Sequence, residues 1–238
     1  MPKHSKRFQA ANESVDRTKR YELAEAVKTL LEAPKAKFDE SVEVHVRLGV
    51  DPTHQDQQVR GTVSLPHGTG KTVRVIAFAS GEAARAAREA GADEVGTEDL
   101  VKKIQGGWLE FDAAVAAPDA MRFIAPLGRV LGPRGLMPNA KAGTVTEDVA
   151  RAVRDVKAGR VEFRLDKLAN VHVAVGKISM GADKLVANIA ALIDGVIRAK
   201  PEKSRGISLR AIAISSTMGP GIHLDVGAAQ QEAARLAA

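Results

Sequence analysis

The chain has 238 residues, 45% of them apolar, a formal net charge of +6 and no cysteine. Disulfides, thiolate metal sites and cysteine nucleophiles are thereby excluded, and no apolar run is long enough to cross a bilayer, so no membrane partner is expected. The basic balance favours a polyanionic partner, because cations set against phosphates release condensed counterions; with aromatics at only 3%, a folded nucleic acid recognised by shape and backbone is expected rather than single strands stacked on rings.

In chain order, the opening "MPKHSKRFQAANES" is basic and then mixed polar, without the apolar stretch of a secretory signal, and predicts a cytoplasmic protein. Residues 41–50, "SVEVHVRLGV", alternate Val42, Val44, Val46, Leu48 and Val50 against Ser41, Glu43, His45, Arg47 and Gly49, the pattern of a strand with one buried face. "LPHGTGKT" (65–72) is close to a phosphate loop in composition. Leu65 stands where the first Gly of that loop is required, however, and the following "VRVIAFA" is strand-like where a helix must open. A Pro/Gly turn is the better reading, and a nucleotide-binding enzyme using the Gly-rich loops the alternative.

"VRVIAFA" (73–79) and "DAAVAA" (112–117) are nearly continuous apolar runs alternating with helical stretches such as "GEAARAAREAGAD", which Ser80 can cap and Gly91 can end. Strands apolar on both faces argue for a small parallel sheet covered on both sides. Residues 128–145, "GRVLGPRGLMPNAKAGTV", form an acid-free basic loop that reads as a connector before a helix capped by Thr146. Alternation returns in "RVEFRLD" (160–166) and "NVHVAV" (170–175), which with residues 41–50 suggest an antiparallel sheet half open to solvent. "SLRAIAIS" is a further strand, the "KPEKSRG" stretch and Lys177 add sequence-independent attraction for phosphate, and the Ala-rich "AAQQEAARLAA" reads as a frayed helix.

The fold class expected is α/β with two domains. Residues 1–66 and 160–238 make a discontinuous first domain with a partly antiparallel sheet, and residues 67–159 an inserted parallel α/β domain. The outer pieces carry 22 Lys+Arg against 17 Asp+Glu and the insert 13 against 12, which makes the outer domain the better seat for a polyanion. The six histidines are scattered without a helical i, i+4 pair. Neither a G-x-S-x-G elbow nor a complete G-x-G-x-x-G after the first inserted strand occurs. No catalytic residue, metal, cofactor or small-molecule substrate is therefore expected.

As a string, "LGPRGLMPNAKAGTV" resembles the signature of the bacterial large-subunit ribosomal protein L-one family. "MPKHSKR", "AKFDESVEVHVRLGVDP", "VRGTVSLPHGTGK", "GWLEFDAAVAAPDAM", "KAGRVEFRLDK", "NIAALI" and "STMGPGI" agree with it in family order, leaving only the Ala-rich tail after Asp225 outside the pattern. The resemblance implies a split α/β first domain and a Rossmann-like second domain that binds no dinucleotide. It implies a non-enzymatic protein of the ribosome that binds the large-subunit ribosomal RNA stalk, moves with that stalk as deacylated exit-site tRNA leaves, and represses translation by binding its own operon mRNA.

"AKFDESVEV" and "STMGPGI" match the family stretches implicated in RNA contact, which places Lys37, Phe38, Ser41 and Glu43 with Thr217, Met218, Gly219 and Pro220. Lys37 suits phosphate, while Phe38 suits either the RNA surface or simple core packing. Ser41 and Glu43 lie on the polar face of the alternating strand, where they meet 2′-hydroxyls or base amines. Thr217 supplies a hydroxyl, Met218 an adaptable apolar surface, and Gly219 lacks a side chain that would hold a ribose away. Asp166, Lys167, Asn170 and His172 of "RLDKLANVHV" are expected to flank the same surface.

Overall fold

A computed structural model describes residues 5–200 and 208–237; most of "KPEKSRG" therefore lies outside the described residues. The chain divides into two compact units, residues 1–71 with 161–238, and residues 72–160. The chain begins in unit 1 with α1 (Lys6–Glu13), α2 (Leu23–Glu32), β1 (Ser41–Leu48) and β2 (Arg60–Ser64). Unit 2 follows with β3 (Val75–Phe78), α3 (Gly81–Glu89), β4 (Glu94–Gly96), α4 (Glu98–Gln105), β5 (Ala113–Ala116), the one-turn α5 (Met121–Ile124) and α6 (Gly128–Leu131), and α7 (Val149–Lys157). The return through unit 1 adds β6 (Arg160–Arg164), β7 (Asn170–Lys177), α8 (Ala182–Arg198), β8 (Leu209–Ser216), β9 (Ile222–His223) and α9 (Val226–Ala237).

In unit 1 the sheet order is β7-β1-β8-β9, antiparallel throughout. The alternation of β1 sends Val42, Val44, Val46 and Leu48 into the core, where they meet Val171, Val173 and Val175 of β7 and Ile212 and Ile214 of β8. One helical stripe covers them. In α8, Leu185, Ile189, Leu192, Ile193 and Val196 are buried at spacings of three and four residues, which puts them on one side of a 3.6-residue helix. Among the described residues, no covering layer of the core lies on the opposite sheet face, which carries Ser41, Glu43, His45 and Arg47. β6 departs from expectation: it pairs with β2 in a separate ladder, and just beyond its end Leu165 bridges to Val171 of β7.

The Ala-rich C-terminal stretch is a packed helix rather than a frayed one. Ala229 and Ala233 of α9 are buried in the unit 1 core, where their small side chains let the helix approach closely. Unit 2 has a three-stranded parallel sheet in the order β4-β3-β5. Ile76 and Phe78 point into one apolar cluster and Val75, Ala77 and Ala79 into another, so β3 is buried on both faces, as a nearly unbroken apolar run requires.

Two caps differ from expectation. Ser80 occupies the N-cap position of α3 but makes no side-chain capping bond, while Gly91 ends that segment at φ +94°, a conformation that favours glycine. The cap of α7 is Asp148, not Thr146. Asp148 accepts the Arg151 amide at 2.9 Å, and the Thr146 hydroxyl in turn accepts the Asp148 amide at 3.3 Å.

Candidate nucleic-acid interface

The stretch "LPHGTGKT" is held as a turn. The buried side chain of Asn188 on α8 donates to the carbonyls of Gly68 at 2.8 Å and Val175 at 2.7 Å and accepts the His67 amide at 3.0 Å. Asn188 thereby uses both of its amide protons and its oxygen on the backbone. The next regular element is the strand β3, so the helix whose amides a phosphate loop needs is missing from its place.

Two separated stretches of unit 1 meet at the start of β1. The Thr217 amide donates to the Ser41 carbonyl and the Ser41 amide to the Thr217 hydroxyl, each at 3.0 Å. Beneath them lies Glu40, only 1% exposed. Its carboxylate accepts the Ala36 amide at 2.6 Å, the Ser216 hydroxyl at 2.7 Å and the Met218 amide at 2.9 Å. Burial alone would raise the Glu40 pKa. The hydrogen bonds from Ala36, Ser216 and Met218, with the nearby charge of Arg7, outweigh it and hold the group below the usual carboxylate range. Arg7 adds a second tie, donating to the carbonyls of Pro34 at 3.0 Å and Met218 at 2.9 Å.

These ties turn the interface groups outward. Phe38 is 56% exposed and Met218 49% exposed, so the core-packing reading of Phe38 is wrong. Lys37 and Thr217 are exposed beside them, Gly219 is half-buried and Pro220 is buried. A Cβ on Gly219 would overlap the Ser216 hydroxyl that Glu40 holds. The register of β1 against β7 shifts between Val42 and Glu43, a bulge that re-aims the strand entrance. Lys177 donates to the Asp39 carbonyl at 3.1 Å and the Ser41 hydroxyl at 2.9 Å, so its charge is pinned at this end of the sheet.

The twelve expected residues do not form one cluster. Asn170 pairs with Arg47, whereas Ser41 pairs with Lys177; six residues of strand, about 20 Å, separate the two ends. Asp166, Lys167 and Asn170 therefore stand at the far end, and Glu43 and His172 on the strip between. Asp166 organises that end: its carboxylate accepts the amides of Asn170 at 2.7 Å and Leu168 at 2.8 Å. The Asn170 amide lowers its pKa, against a smaller opposing effect of burial and with help from the Leu168 amide. The turn also presents Leu168, 73% exposed.

Three residues escaped the sequence reading. Glu40 looks like one more polar residue at a strand entrance, Leu168 like the apolar member of a turn, and His45 is one step in the alternation. Only for His45 was a signal available, its place on the same face as Ser41 and Glu43. A cleft of about 380 Å³ opens beside this face, with Ser41, His172, Lys177, Thr69 and Lys71 among its walls. The strip combines apolar tips, hydroxyls and cations at half-exposed positions, a composition suited to riboses and phosphates.

A family model described as the Ribosomal protein L1p/L10e family matches residues 30–220. The chain is 57% identical over 228 residues to the Large ribosomal subunit protein uL1 of Cutibacterium acnes, covering 96% of this chain and 98% of that one. It is 55% identical to the protein of the same name from Mycobacteroides abscessus, covering 95% and 97%. It is 56% identical to that of Saccharopolyspora erythraea, covering 94% of each.

Proposed function

This chain belongs to the ribosomal protein L1p/L10e family, and from that premise we propose that it is a constituent of the large ribosomal subunit, not an enzyme, which binds a folded segment of ribosomal RNA directly. Binding is assigned to unit 1, along the open face of β7, β1 and β8. At one end Phe38 and Met218 lie against riboses and Lys37 meets phosphate, while Ser41, Glu43 and Thr217 exchange hydrogen bonds with 2′-hydroxyls. Asp166, Lys167, Asn170 and His172 contact the next stretch of the same RNA. The observation that carries this reading is the Glu40 latch, which holds the two signature loops together with their apolar tips in solvent.

The finer roles belong to the same proposal. The protein forms the mobile stalk of the large subunit, takes part in release of deacylated tRNA from the exit site, and represses translation by binding a similar RNA structure in its own operon message. A double-helical groove with 2′-hydroxyls on its shallow side suits a half-exposed strip better than flipped bases do, because few rings are present to stack on.

The test is a filter-binding titration against a transcript of the ribosomal stalk RNA and a scrambled hairpin of equal length, each at several salt concentrations. Preference for the stalk transcript that survives high salt supports shape-specific recognition. Equal binding that collapses for both RNAs as salt rises leaves only the net charge acting and refutes the assignment.

A further inference from the structure

The two histidines at the centre of the open face are bonded to each other. His45 and His172 are opposite one another in the β1–β7 ladder, with their Nδ1 atoms 2.8 Å apart. The Nε2 atom of His45 lies 3.0 Å from the Ser215 hydroxyl on β8, and that of His172 lies 3.3 Å from Asp166. A single hydrogen-bonded line thus crosses three strands, from Ser215 to Asp166.

The partners determine where the protons sit. The Asp166 carboxylate, already accepting two backbone amides, stays ionised, so His172 carries its proton on Nε2 and leaves Nδ1 bare. His45 must then donate from Nδ1 and accept the Ser215 proton on Nε2. One further proton can enter. In either arrangement of the singly charged pair, a proton is shared between the two Nδ1 atoms and His45 Nε2 becomes a donor to Ser215. The Ser215 hydroxyl, released from donating into the sheet, turns outward. A second proton would set two N–H groups head-on at 2.8 Å.

We propose that His45, His172 and Ser215 form a phosphate-binding site for RNA that takes up one proton as the phosphate docks. The site rests on the RNA-binding reading above and deepens it. The other charged groups on the face carry both signs: Glu43 and Arg47 share the β1 face, Asp166 and Lys167 close one end, and Lys177 stands at the other. Lys71 and Glu162 share the cleft with His172, and Glu162 is paired with Arg60. His223 on β9 stands opposite Ala213, which is itself opposite His45. These groups sum to a modest positive charge spread over the face and its edges, and an added proton concentrates one further charge at its centre. In the free protein, burial and then the neighbouring His172 hold the His45 pKa below its ordinary value, so the added proton is disfavoured there until a docking phosphate draws it in.

The experiment measures Kd for the stalk transcript from about pH 5.5 to about pH 8 at constant salt, for the wild type, His45→Gln and Ser215→Ala. Proton uptake is measured calorimetrically in two buffers of different ionisation enthalpy. Wild-type affinity is expected to rise as pH falls, approaching tenfold per pH unit at its steepest, the limit for one linked proton. His45→Gln should lose most of that slope. Ser215→Ala should weaken binding chiefly at the acid end, which keeps the idea testable should the histidine variant not fold. Parallel pH profiles for wild type and variants, or zero proton uptake, overturn the site while leaving RNA binding intact. Wild-type protein that binds the transcript at no pH overturns both readings.

Discussion

Glu40→Ala removes the buried side chain that ties the two proposed interface loops together. Glu40 is 1% exposed and accepts three hydrogen bonds, so its loss orphans the amides of Ala36 and Met218 and the hydroxyl of Ser216. An unsatisfied buried donor costs about 1–3 kcal/mol. The hydroxyl can rotate to another partner, which leaves the two part-buried amides and an expected destabilisation of about 2–6 kcal/mol at most. Urea unfolding followed by circular dichroism measures the total, and hydrogen exchange in peptides spanning 34–41 and 214–220 locates it. RNA affinity, measured where the variant is still folded, should fall at least about tenfold, because Phe38 and Met218 are no longer held together. Glu40→Gln, which keeps one carbonyl oxygen, should lose less on both counts. A Glu40→Ala protein within about 1 kcal/mol of wild type, with unchanged exchange in both peptides, would refute the latch.

The same carboxylate predicts an acid dependence. Its folded pKa is depressed, so its contribution is complete above the ordinary Glu value and is lost as pH falls through the folded one; Glu40→Gln should flatten the acid limb of stability against pH, and an unchanged limb would assign it elsewhere. Gly219→Ala should cost about 1–3 kcal/mol of stability, since its methyl displaces the Ser216 hydroxyl from Glu40; thermal unfolding checks this. Met218→Asp should weaken binding of the stalk RNA by about 1–3 kcal/mol with little loss of stability, because the side chain is half-exposed. ATP and GTP should leave the melting temperature unchanged, and a shift of several degrees would revive a nucleotide site in the 65–72 turn.

The elements that were legible in the sequence share a physical property: their periodicity is set by one dominant burial. β1 alternates because only one of its faces meets α8 and its neighbours, and β3 is apolar throughout because both of its faces are covered. Errors fell where a residue had two chemically equivalent options. Thr146 and Asp148 are both good caps, and sequence cannot say which one the chain's entry angle will favour. The alternation in residues 160–166 is as clear as that of β1, yet period two specifies a face and not a partner, and β6 pairs with β2 rather than joining the four-stranded sheet. The Ala-rich helix misled for the opposite reason: its burial depends on alanines, whose small side chains make a weak apolar stripe in the sequence.

The interface divides along the same line. Its outward groups were proposed through the resemblance of "AKFDESVEV" and "STMGPGI" to family stretches, since on the residues alone the second string reads as a turn. Its inward support was not, because a carboxylate beneath an anion-binding surface runs against the charge expected there. The geometry resolves the conflict. Glu40 spends its charge on three donors within hydrogen-bond distance and is shielded from solvent, so it sets the positions of Phe38 and Met218 while its charge is screened from a docking phosphate. Asp166 plays the corresponding part at the far end, ordering its turn through backbone amides, with its other carboxylate oxygen 3.3 Å from Nε2 of His172. On a face proposed to attract a polyanion, acids are tolerated where their negative charge is already occupied by the protein's own donors, and both ends of this strip are built that way.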